Sequence, residues 1–212
     1  DKLFLVDLKT DRRFTFREFN ELVDRTCRFL ESLGVERGQL LSAVLDNSAE
    51  LCLLIFASLR FGAVFNPYPS FFSAADVHRD TGVLGPQVVF TPASRREELA
   101  GRGQAVTVVD TDGTGGFIDS LRAYPAEFRE APVRPEETAF IYHSAGRLVD
   151  PRGVRYSHGN LAALIPSVAR GLDLQADGAH LIGLPLAHPA ALNYSLFPCA
   201  WLGAAVVLAD SF

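Results

Sequence analysis

The chain has 212 residues, 48% of them hydrophobic, and a formal net charge of -5. That is enough apolar surface for a sizeable core, which excludes a disordered chain and fits one domain or a large piece of a bigger one. The mild acidity argues against a nucleic-acid or anionic-membrane surface.

Thr15 with Glu18 reads as a capping box. Phe19, Leu22, Val23, Cys27, Leu30 and Leu33 follow at helical spacing up to Gly34, which predicts a helix starting at Phe16. Residues 40–45 predict a buried strand. Asn47 with Glu50 reads as the cap of a second helix over 51–61, stopped by Gly62. A short strand at 63–66 enters Pro67-Tyr68-Pro69, Ser73 with Asp76 caps a third helix, and 87–91 is the next strand. Residues 93–135 are polar and punctuated by glycine, and read as a variable connection holding a strand at 105–109 and a short helix at 117–124. Asp110 and Asp112 fit turn positions there better than metal ligands. The pattern resumes with a strand at 138–143, an irregular loop to Arg152 and a strand at 154–156. A helix from about Gly159, a strand at 181–184, a helix at 190–202 and a strand at 204–208 complete it.

Strands alternating with helices predict an α/β fold of βα units, with a mainly parallel sheet flanked by helices. Residues 1–212 read as a single unit of a larger domain. The longest apolar stretch, 187–208, is broken by His188, Pro189, Asn193, Pro198 and Gly203, so it predicts buried helix and strand and no membrane span. A buried-looking strand close to the end of the chain suggests an uncapped sheet edge open to self-association. Cys27, Cys52 and Cys199 lie in apolar runs without metal spacing, as core cysteines do in a reducing, cytoplasmic compartment. The lack of methionine and the start at Asp1 suggest a processed or excised N-terminus.

The segment from Phe140 to Gly153 joins a buried strand to a second strand through small residues, two arginines and a proline. Small residues let backbone N–H groups approach an anion, and arginine supplies charge. It is not a Walker loop, because no Gly-Lys-Ser/Thr opens a helix. On spacing alone an ordinary turn between two strands fits equally well. No Gly-x-Ser-x-Gly surrounds Ser144, which argues against a hydrolytic pair with His143 or His158. His180 carries no signal of its own. His188, flanked by apolar residues, reads on spacing alone as a core histidine. Phe65, Tyr68, Phe71 and Phe72 form an aromatic cluster that packing or a substrate explains equally well.

The same segment resembles the phosphate-binding loop of the acyl-adenylating superfamily, which includes acyl-CoA synthetases, aryl-CoA ligases and nonribosomal-peptide adenylation domains. That loop reads Ser/Thr-Ser-Gly-Thr-Thr-Gly-x-Pro-Lys-Gly, and this chain keeps Tyr142, Ser144, Pro151, Gly153 and Val154, followed by Ser157-His158-Gly159-Asn160. Ordered matches run along nearly the whole chain: Phe14 to Leu22, Leu33 to Gly38, Asn47-Ser48 with Glu50, Gly62-Ala63-Val64, and Leu184-Pro185-Leu186-Ala187-His188 with Asn193. The resemblance implies an AMP-forming acid–thiol ligase that uses ATP and Mg2+, makes an acyl-AMP from a carboxylic acid, and then makes a thioester with CoA or an acyl or peptidyl carrier protein. It implies nucleotide binding by Ser144, Ala145, Gly146, Arg147, Pro151, Arg152 and Gly153. It places His188 beside the acyl pocket and the phosphate as a catalytic and substrate-binding residue, with Asn193 as a second substrate contact.

The loop departs from the pattern. Between Ser144 and Pro151 stand Ala145, Gly146, Arg147, Leu148, Val149 and Asp150, about one residue more than the family has, and two hydroxyls are lost. Arg152 stands where the family has lysine, and the two are not equivalent donors. The family's adenine- and ribose-binding motifs and its C-terminal domain find no counterpart before Phe212. The chain by itself is therefore expected not to complete adenylate formation. The alternative is a truncated, degenerate adenylation-like module with a binding or scaffold role.

Overall fold

The structure is a computed structural model that describes residues 2–100, 105–111, 116–129, 132–143 and 153–210. Two strands precede the first expected helix: β1 (Leu3–Asp7) and β2 (Arg12–Thr15). Helix α1 (Phe16–Ser32) then starts on the expected capping box, with the Thr15 side chain accepting from the Glu18 N–H. Strand β3 (Leu40–Val44), helix α2 (Ala49–Phe61), strand β4 (Val64–Tyr68), helix α3 (Ala74–Leu84) and strand β5 (Val88–Thr91) follow the predicted alternation. Ser73 caps α3 as expected.

The 93–135 connection carries a one-turn helix α4 (Arg96–Leu99), strand β6 (Ala105–Val108) and helix α5 (Gly116–Ser120), which tightens into a 3-10 turn. Then come β7 (Thr138–His143), β8 (Gly153–Ser157), α6 (His158–Gly171) and β9 (Ala179–Ile182). The helix expected at 190–202 is three pieces: α7 (Pro189–Ala191), a π segment (Leu192–Leu196) and α8 (Phe197–Leu202). Pro198 has no N–H for the carbonyl of Tyr194, so the regular ladder cannot run through. Strand β10 (Ala205–Leu208) closes the order.

The expected single sheet is two. Six strands form one in the order β6-β5-β3-β4-β7-β8, and four form the other in the order β2-β1-β10-β9. Both are mainly parallel, with an antiparallel hairpin at one edge of each, β7–β8 and β1–β2. Strand β10 lies between β1 and β9, so it is no edge. The uncapped edge read from the end of the sequence is therefore not at this strand.

Helix α2 explains how the sheets join. Residues 49–55 of it are all buried, and it touches both β1 and β4. A helix apolar all round belongs in the middle of a core. One continuous apolar cluster spans both sheets, from Phe4 and Leu5 through Ile55 and Phe65 to Phe140, Leu196 and Val206. The three cysteines are buried thiols outside any disulfide. Among the described residues no helix is long and apolar enough to cross a membrane.

The cap of α2 corrects the sequence reading. The Ser48 side chain accepts the Leu51 N–H at 3.2 Å, and Asn47 is released for another task. Its Nδ2 donates to the carbonyls of Leu184 (2.9 Å) and Ala209 (3.2 Å), and its Oδ1 accepts the Leu186 N–H at 2.7 Å. Asn47 thus ties the β3–α2 junction of the six-stranded sheet to the exits of β9 and β10 in the other.

Candidate functional site

A cleft of about 400 Å³ opens where the two sheets meet, at the carboxyl ends of β4 and β7. Ligands of parallel α/β sheets bind outside that end. Pro67 and Phe72 form part of the wall from β4 and the turn after it. Tyr142 and His143 come from the end of β7, Tyr156 from β8, and His188 from the segment after β9. Among the described residues the wall holds two imidazoles and no carboxylate, so it suits an acid or a phosphate better than a cation.

His188 is placed by a chain of backbone contacts. Asn47 fixes Leu186, the His188 N–H donates to the Pro185 carbonyl at 2.8 Å, and His188 then serves as N-cap of α7. Its Nδ1 accepts the Ala190 N–H at 3.1 Å. A nitrogen that accepts has no proton, which leaves Nε2 as the N–H donor of the ring. The imidazole thereby offers the cleft a hydrogen-bond donor rather than a base. The proline at 189 fits the first helical position, where a missing N–H costs nothing.

Tyr142 forms part of the same wall. Its hydroxyl is buried and has no partner among the described residues, and burial, with Tyr156 adding to it, pushes its pKa up, so it stays protonated.

Gly153 opens β8 directly opposite His143. A Cβ there would come within 2.9 Å of Ile141 Cγ2, so the close approach of β7 and β8 requires glycine. The other expected nucleotide contacts, Ser144, Ala145, Gly146, Arg147, Pro151 and Arg152, lie outside the described residues, as does Asp112. Their flanks, His143 and Gly153, sit side by side at the cleft. Asn193 is buried in the π segment with its Oδ1 unpartnered and is not part of the cleft wall. Of the aromatic cluster, Phe72 and Phe71 reach the cleft, whereas Phe65 packs against Phe140 in the main core. His158 is the first residue of α6, and its N–H donates to the Glu137 carbonyl, a structural place.

Tyr142 and His143 were not singled out as functional by sequence. The available signal was their position at the end of a buried strand immediately before the small-residue loop.

The family model described as AMP-binding enzyme matches residues 1–212. The long-chain-fatty-acid–CoA ligase FadD13 of Mycobacterium tuberculosis is 29% identical over 91% of this chain and 39% of its own length. The 4-coumarate–CoA ligase 3 of Oryza sativa subsp. japonica is 29% identical over 98% of this chain and 39% of its own. The chain therefore spans about two fifths of these relatives. Among solved structures, ATP-bound MatB from Rhodopseudomonas palustris superposes with a TM-score of 0.92 at 20% identity, covering all of this chain and 42% of that one. The inhibitor-bound N-terminal domain of FACL13 from Mycobacterium tuberculosis gives 0.89 at 24% identity, with 54% of that domain covered.

Proposed function

The chain belongs to the AMP-binding enzyme family, and from that premise we propose that it is the N-terminal portion of an ATP-dependent ligase that activates a carboxylic acid as an acyl-AMP. The activated acyl group then passes to the thiol of CoA or of an acyl or peptidyl carrier protein. The observation that carries this reading is the cleft itself, with the His188 Nε2–H at the place where β7 leads into residues 144–152.

The chemistry asks for such donors. A carboxylate oxygen forms a bond to the α-phosphorus as the bond to pyrophosphate breaks, and both partners begin as anions. Bound ATP would supply the adenylyl group, and Mg2+ would screen its charge. The chain's own part is to hold the acid in line and to meet negative charge with preorganised donors. His188 donates to a carboxylate or phosphate oxygen from a fixed position. Arg147 and Arg152 add positive charge from the adjoining loop. The apolar wall of Pro67, Phe72 and Tyr156 keeps water away from the mixed anhydride. Three buried cysteines outside any disulfide agree with a reducing, cytoplasmic compartment.

Isothermal titration of the chain with ATP–Mg2+ tests the proposal. Saturable binding at one site is expected. A flat titration at millimolar nucleotide overturns the reading of the cleft and its loop as a nucleotide site.

A further inference from the structure

Beside the apolar cluster of Val44, Tyr68, Val77 and Val89, where α3 packs on the six-stranded sheet, lies a buried polar patch. Register sets Ser42 of β3 beside Asn66 of β4, and Tyr68 stands two residues further on. Asp80 of α3 reaches this layer at 7% exposure. His143 lies between them. Its ring stacks on Tyr68 with centroids 4.8 Å apart, its Nε2 is 2.9 Å from Asn66 Oδ1, and its Nδ1 is 3.5 Å from Asp80 Oδ2.

With the Asn66 carbonyl oxygen toward the ring, five buried atoms of this patch have no partner among the described residues: Asp80 Oδ2, His143 Nδ1, Asn66 Nδ2, Ser42 Oγ and the Tyr68 hydroxyl. The Tyr68 hydroxyl nevertheless lies beside Asn66 and Ser42. Amide orientation and imidazole tautomer are assigned from the hydrogen-bond network. Turning the Asn66 amide by half a rotation and placing the ring proton on Nδ1 gives Asn66 Nδ2, His143 Nδ1 and Asp80 Oδ2 partners. Asn66 Nδ2 donates to His143 Nε2, and His143 Nδ1–H donates to Asp80. A ring shift of about half an ångström brings the last contact to ordinary hydrogen-bond length.

This arrangement has a purpose in the sheet. The β4–β7 ladder pairs Phe65 with Phe140 alone among the described residues. Beyond Phe140 the end of β7 is tied to β4 by the His143 side chain. We propose that His143 is a positioning residue, a neutral imidazole that latches the end of β7 to α3 through Asp80 and to β4 through Asn66, and so sets the point where the strand hands over to residues 144–152. A carboxylate behind an imidazole commonly fixes tautomer and ring orientation in this way.

The surroundings agree. Burial holds the His143 pKa below its ordinary value; Asp80 opposes that and Arg79 reinforces it. From α3 the ring meets Asp80 with Arg79 behind it, from β4 Tyr68 and Asn66, on its own strand Tyr142, and around the cleft Tyr156 and His188.

The functional half of the proposal rests on the nucleotide reading above, and the test separates the two. Imidazole 15N–1H correlation spectra of the chain, with His143 assigned through a His143→Asn variant, read the tautomer directly. The Nδ1–H form is expected at pH 7.5, shifting toward Nε2–H in Asp80→Asn. An Nε2–H ring in the wild type, or a spectrum indifferent to Asp80→Asn, overturns the latch. ATP–Mg2+ affinity is then compared among variants whose β3 amides stay protected from exchange, which shows that they are folded. His143→Ala is expected to bind about tenfold more weakly, and His143→Asn, which keeps a donor for Asp80, within about threefold of the wild type. Equal affinities for His143→Ala and the wild type overturn the positioning role. If the wild type binds no ATP–Mg2+, the nucleotide reading fails. The latch is then judged by the tautomer and by exchange protection of the Tyr142 and His143 amides, which His143→Ala must lower and His143→Asn must restore.

Discussion

A single ring nitrogen decides what His188 can do. Because Nδ1 accepts the Ala190 N–H, the ring presents Nε2–H to the cleft and acts as a donor. Alanine removes that donor, whereas glutamine carries an amide N–H to a similar reach. An acyl-sulfamate analogue of an acyl adenylate is the probe. Its affinity should fall by about tenfold to a hundredfold in His188→Ala, as expected for one hydrogen bond to a charged group, and by less in His188→Gln. An alanine variant that binds like the wild type removes His188 from the site.

Asn47 shows where reading residues one at a time fails. Its spacing from Glu50 is that of a cap, yet three partners 137 to 162 residues away claim its side chain. No local pattern encodes contacts so distant. Asn47→Ala should cost about 2–4 kcal/mol, because it strands one buried and two part-buried backbone groups. Asn47→Asp should be worse, since a carboxylate would then face the Leu184 and Ala209 carbonyls in place of a donor. Urea midpoints of the two variants give the ranking, and an aspartate variant as stable as the wild type refutes the clasp.

Elements were legible where a local rule chose them. The caps at Thr15 and Ser73 and the glycine stops at Gly34 and Gly62 stand where the sequence puts them, each glycine at positive φ. Strands β1 and β2 escaped, since each is only four or five residues long and their pairing with each other is flanked by charged turns. The 190–202 segment has helical spacing, but its proline dictates a π turn that periodicity does not reveal.

One element junction carries a pH signature. Arg37, between α1 and β3, donates to Glu137 Oε2 at 2.6 Å and to the Pro132 carbonyl, clamping the entry of β7. The Arg37 hydrogen bond, with Arg134 adding to it, lowers the Glu137 pKa from 4.5 to about 2. A carboxylate depressed on folding contributes stability that is complete above its unfolded value of 4.5 and is lost as pH falls through about 2. The pair is solvent-exposed, so its contribution is small. Glu137→Gln should therefore lose less stability than the wild type between pH 5 and pH 2.5. Parallel acid titrations of the urea midpoint that show the same slope for both proteins contradict this.

At the scale of the molecule, sequence alternation predicted parallel βα units but not their division into two sheets. That division depends on β1 lying between β2 and β10, a pairing of Leu5 with Val206 that spans nearly the whole chain. Hydrophobic pattern fixes which side chains are buried and says nothing about which distant strand is adjacent. The candidate cleft inherits the same problem. His143 ends a strand of one sheet and His188 follows a strand of the other, so the cleft exists only when both sheets are docked on α2.

Docking should therefore be separable from folding of the larger sheet. Leu5 is fully buried in the core that spans both sheets and pairs with Val206 of β10, and Leu5→Ala leaves a cavity there worth about 2–4 kcal/mol. Contacts of high sequence separation close a long loop for little local gain, so the four-stranded sheet should be the first to open. Amide exchange in Leu5→Ala should lose protection first in β9 and β10, with β3, β4 and β5 retained, and ligand binding at the cleft should fall with it. Uniform loss of protection across both sheets means instead that the two open as one cooperative unit, and that the cleft is as stable as the core beneath it.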